Sequence, residues 1–154
     1  MSFAKLMQRF KGESARDADP ARTHDPLRLA TATVLLEIGY ADGTLSPGED
    51  SDLLTYLQRA FALDEDDARD LVKAAAEIRN RTIDHFAVTN YIRKNAALED
   101  RIEVVRTMWR MVYSDGKLTD YENYLVRKLA DLLGLEHHVM IRVKVEVLRE
   151  LNLS

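Results

Sequence analysis

The pattern Asp-Gly-x-Leu-Ser/Thr-x-x-Glu occurs twice in the 154-residue chain, from Asp42 to Glu49 and from Asp115 to Glu122. Each copy offers two carboxylates, and carboxylate oxygens suit hard cations: Ca²⁺, Mg²⁺ or Mn²⁺ rather than Zn²⁺. Four such groups at one place would repel one another. Protonation, spreading into solvent or a bound cation must relieve that repulsion. The same residues have a second use that needs no ligand. Ser46 and Thr119 are favoured helix N-caps, and Glu49 and Glu122 stand three positions later, so each pair completes a capping box. Pro47 suits a first helical position. Gly43 and Gly116 allow a left-handed turn, Leu45 and Leu118 can anchor it inward, and Asp42 and Asp115 can accept N–H groups within it.

Each turn also resembles the second half of an EF-hand calcium loop, where Asp precedes a glycine and Glu closes the loop as a ligand. The first half is missing. Ile38 and Tyr40, and Met111 and Tyr113, stand where the first acidic ligands would be, so neither turn alone makes a normal EF-hand. Duplication supplies another route. If the turns meet near a pseudo-two-fold axis, Asp42, Glu49, Asp115 and Glu122 converge as candidate metal ligands. Both uses, structural joint and metal site, remain open.

The elements that would position these residues are helical. Asp25 and Pro26 open a helix to about Ala41 whose apolar residues cover most of its circumference, which predicts a central, buried element. Ser46 starts a second helix to about Ala62, and Asp64 caps a third reaching about Arg79. A fourth runs from about Asp84 to Lys94, with Phe86, Tyr91 and Ile92 expected inward. Leu98 to Ser114 and Thr119 to about Gly134 form the fifth and sixth. Glu136 to Leu151 is ambiguous. Its valines alternate as in a strand, while Met140, Val143, Val147 and Leu151 fit a helical face. No partner strand is evident, so a helix is expected.

The halves align. Tyr40 to Glu49 matches Tyr113 to Glu122 position for position, and the flanking helices correspond. A three-helix unit, about 26–79 and 98–151, is repeated with one helix between the copies. The expectation is an all-α single-domain bundle of about seven helices with internal pseudo-two-fold duplication. The paired turns, each behind a buried apolar helix, resemble the TerB family, named for a bacterial tellurite-resistance protein, over about residues 26–150. That resemblance implies an all-helical fold and a suspected metal site on Asp42, Glu49, Asp115 and Glu122. It further implies an interaction module in stress and metal-resistance systems, cytoplasmic or membrane-associated, without an established reaction.

Composition bounds the rest. A net charge of −4 with dispersed Arg and Lys argues against a nucleic-acid protein. The absence of cysteine excludes disulfides and thiolate chemistry. No secretory signal or membrane span is expected, and a cytoplasmic location fits. Residues 1–25 read as an amphipathic segment and linker. Phe3, Leu6, Met7 and Phe10 share one helical face that suits folding onto the core, docking a protein partner, or weak membrane-surface association through residues 1–11. His24, His85, His137 and His138 read as surface histidines, and adjacent His137 and His138 cannot readily grip one metal from a helix. The acidic run from Asp64 to Asp70 reads as a solvated helix start, and Trp109 as core. The functional expectation is a non-enzymatic module that binds a divalent cation and an unidentified protein partner. A metal-free interaction scaffold is the alternative, and a metal-dependent hydrolase is less favoured because no histidine stands beside the turns in sequence for acid–base work.

Overall fold

The computed structural model describes residues 24–81, 84–114 and 118–153. Seven α-helices and no strand occur among them: α1 (Pro26–Gly39), α2 (Pro47–Phe61), α3 (Glu65–Arg81), α4 (His85–Asn95), α5 (Leu98–Tyr113), α6 (Asp120–Leu132) and α7 (His137–Glu150). Expected helix ends differ from these by two residues or fewer. The ambiguous last segment is helical, with Met140, Val143 and Val147 buried on one face. Its valine alternation yields to burial: only the residues at helical spacing meet the core.

Local chemistry starts most of the helices. Asp25 accepts from Leu27 N at 2.7 Å and Pro26 fills the first turn of α1. Asp64 accepts from Asp67 N at 2.8 Å and Asp84 from Ala87 N at 3.1 Å. Each bond satisfies an N–H that the first helical turn leaves unpaired. The Asp64–Asp67 residues therefore act as an exposed helix start, as expected.

Helix α1 is the central element. Every residue from Leu29 to Leu36 is buried, and the Thr31 and Thr33 hydroxyls are satisfied by donating to Leu27 O and Leu29 O at 2.8 and 2.6 Å. It packs against α3, α4 and α5, and more lightly against α2 and α6. The two helical triplets, α1–α3 and α5–α7, meet through α1 on α5. Matching cross-contacts put α2 against α5 and α6 against α1. Trp109 of α5 lies fully buried, with Tyr113 stacked at 6.2 Å between ring centroids and Lys144 of α7 over its ring at 5.1 Å.

Two side-chain expectations are overturned. Phe86 is 63% exposed, because the face of α4 that reaches the core carries Val88, Thr89 and Ile92 instead. His24 and His85 are not surface histidines. His24 is buried, with Nε2 2.8 Å from Asp70, and His85 is largely buried, with Nε2 2.9 Å from Glu37. Both carry a partner from a helix distant in sequence, which compensates their burial. His137 and His138 are exposed.

Candidate functional site

The first turn is built as its residues dictate. Gly43 has φ of +96°, in the range that a side chain resists. Its N–H donates to Tyr40 O at 2.9 Å, and the exposed Asp42 accepts from Thr44 N at 3.1 Å, closing the turn on itself. Leu45 folds back onto Gly39, so closely that a Cβ there would lie 2.5 Å from its Cδ1 and 3.2 Å from Met111 Cε. The absence of a side chain at position 39 thus lets the turn lie flat against α1 and reach α5.

Both capping boxes are formed. Glu49 N donates to Ser46 Oγ and Ser46 N to Glu49 Oε1, each at 3.1 Å. In the second copy Glu122 N donates to Thr119 Oγ1 at 3.1 Å and Thr119 N to Glu122 Oε1 at 3.0 Å. The two glutamates are buried, at 6% and 5% exposure, although surface caps of this kind usually stay wet. Each box engages Oε1 and leaves Oε2 outside it.

The two turn regions approach one another. The N-terminus of α2 meets the C-terminus of α5, where a Cβ on Gly48 would stand 3.1 Å from Ser114 Cβ. Ser114 donates to Met111 O at 2.6 Å and lies 3.2 Å from Asp52 of α2. Electrostatics carry the same message. Burial pushes the Glu49 carboxyl above its ordinary value, the two bonds to Ser46 pull it back, and the charges of Asp42 and Glu122 raise it again. Glu49 therefore lies within the field of one carboxylate from its own turn and one from the other. No three His, Asp or Glu side chains among the described residues converge closely enough to hold a metal ion. Asp115, Gly116 and Lys117 lie outside the described residues. Of the four candidate ligands, Asp42, Glu49 and Glu122 are placed.

One cluster beside the first turn was not anticipated from sequence. Glu37, near the end of α1, pairs with Arg79 of α3 and with His85 of α4. The Arg79 guanidinium also lies over the Tyr40 ring, 5.0 Å from its centroid. The signal was present, since Glu37 is the one acid in the most apolar stretch of the chain and a buried charge demands a partner. Its partners, 42 and 48 residues away, cannot be read from local spacing. In the second copy, the position matching Glu37 is Arg110 of α5, which forms a two-pronged pair with Glu150 of α7 at 2.7 and 2.8 Å. The first and third helices of each copy are thus tied at one end by an ion pair of opposite polarity.

Fold and site together define a class: an all-α module of two helical triplets, each opening its second helix on a buried capping box. A family model described as Tellurite resistance protein TerB matches residues 28–145, and the chain belongs to that family. The match spans both turns. Comparisons with curated proteins and with solved structures find no significant match.

Proposed function

We propose that this TerB-family chain is a non-catalytic module that binds a divalent cation between its two turns and engages a protein partner. Asp42, Glu49, Asp115 and Glu122 would hold the ion by drawing Asp42, Glu49 and Glu122 closer together than they stand without it, and Ca²⁺, Mg²⁺ or Mn²⁺ fits an all-oxygen set. One observation carries the reading: Glu49 is buried where Asp42 and Glu122 both raise its carboxyl. A cation would offset that cost by neutralising charge, and the Oε2 atoms left outside the capping boxes are suitable donors. Ion binding would fix the distance between α2 and α6, and so the surface a partner meets. The family description makes a role in metal or stress resistance the natural setting, with tellurite as one stressor to examine.

The reading is tested by thermal melting with each cation against chelator. A ligand bound only by the folded chain, at one hundred times its Kd, adds about 2.7 kcal/mol. At this chain length that raises Tm by roughly 5–10 °C. Unchanged melting at millimolar Ca²⁺, Mg²⁺ and Mn²⁺ would favour the second reading, a metal-free interaction scaffold. That alternative draws its support from the two complete capping boxes, which already use both glutamates.

A further inference from the structure

A concavity of about 540 Å³ lies along α2 and α5, among the described residues. Its apolar walls come from Leu27 of α1, Tyr56 and Phe61 of α2, Ile92 of α4 and Val104 of α5. Asp52, Asp100, Glu103 and Glu150 stand around it, against Arg59 and Arg110. Four acids and two bases leave the lining net negative. Glu103 and Glu150 are partnered by Arg106 and Arg110, while Asp52 and Asp100 have no ion-pair partner among the described residues. The Tyr56 hydroxyl registers this field: burial raises its pKa most, and Asp100 and Glu103 raise it further.

We propose that this groove is the docking site for the chain's own N-terminal segment, residues 3–10, bound as an amphipathic helix. Three observations select that occupant. The first is shape. Phe3, Leu6, Met7 and Phe10 follow i, i+3, i+4, i+7 spacing and form one apolar stripe. Eight helical residues span about 12 Å, and the groove follows α2 from Asp52 to Phe61, about 14 Å at the same rise. The second is charge. Lys5, Arg9 and Lys11 flank the stripe, and their complement is the acidic lining, where Asp52 has only the Ser114 hydroxyl and neither Asp52 nor Asp100 has an ion pair among the described residues. The third is where the chain leads. His24 is fixed on Asp70 and Asp25 caps α1, and Leu27, two residues on, is itself a wall of the groove. The twelve residues 12–23 can span at most about 40 Å. The segment is therefore tethered within reach of the groove, which raises its effective concentration there above that of a free peptide. The docked segment would cover the cleft between α2 and α5, the same two helices that meet beside the second turn.

The chain has no cysteine, so a nitroxide label on a Ser2→Cys variant of the full chain reports where residue 2 resides. Amide signals of Thr55, Arg59, Glu103 and Thr107 are expected to broaden several-fold more than those of α3. Adding Leu6→Glu to the labelled chain should abolish that broadening while the core spectrum stays unchanged, since residue 6 precedes the helical core. Broadening located elsewhere, or indifferent to Leu6→Glu, overturns the proposal. So does equal broadening of an unlabelled ¹⁵N chain mixed with labelled chain, which would make the occupant the segment of a second copy.

Discussion

At the scale of single residues, the turn glutamates carry two demands on one side chain. Oε1 of Glu49 closes the cap on Ser46, and burial among other carboxylates burdens the same group with its charge. Glu49→Gln separates these demands, because an amide oxygen still accepts from Ser46 N while the charge is gone. In chelator the variant should melt at or slightly above the parent temperature, and any cation-induced rise should disappear. Ser46→Ala removes the reciprocal bond and should cost about 1 kcal/mol, lowering Tm by roughly 3 °C. Gly43→Ala forces a side chain into the left-handed turn and should cost about 1–2 kcal/mol, measurable by urea unfolding. These residues were readable in the sequence because caps and turns are contracts between near neighbours. Ser46 and Glu49, and Thr119 and Glu122, were expected as boxes and form them. The burial of the two glutamates was not readable, because it depends on which helices close over the turn.

At the scale of elements, periodicity identified the helices and burial decided the ambiguous one. The stretch from Val139 to Val147 satisfies a strand pattern locally, yet α7 must lie along α5, and only a helix offers Met140, Val143 and Val147 together to that face. Phe86 shows the opposite limit. Its apolarity suggested the core, but the register of α4 is set by Val88, Thr89 and Ile92. Ion pairs tie the helices of each copy at positions that local pattern cannot link. Arg110 holds the Glu150 carboxyl below its ordinary value, so the bond stabilises the fold above that value and is lost as pH falls through the lowered one. Because Glu150 is about half exposed, Glu150→Gln should cost no more than about 1 kcal/mol at neutral pH. The difference from the parent should close well below the ordinary value of 4.5, as denaturant titrations across pH would record. Breaking the other tie should cost more. Arg79→Met leaves the largely buried Glu37 with His85 alone and should remove about 1–3 kcal/mol.

At the scale of the whole molecule, the repeat is what makes two modest motifs worth considering as one site. Sequence comparison of the halves gave the correspondence of helices, and the contacts of α1 on α5, α2 on α5 and α6 on α1 give it a spatial form. No helix among the described residues is long and apolar enough to cross a membrane. The central claim is that the two half-loops share one cation. A two-dimensional amide titration of the full chain with Ca²⁺, repeated with Mg²⁺ and Mn²⁺, tests it most directly. Signals from residues 42–49 and 115–122 should move or broaden together along one binding curve, and Glu122→Gln should weaken the response at both turns. Responses confined to one turn, or following two separate curves, or absent with all three cations, would contradict a shared site.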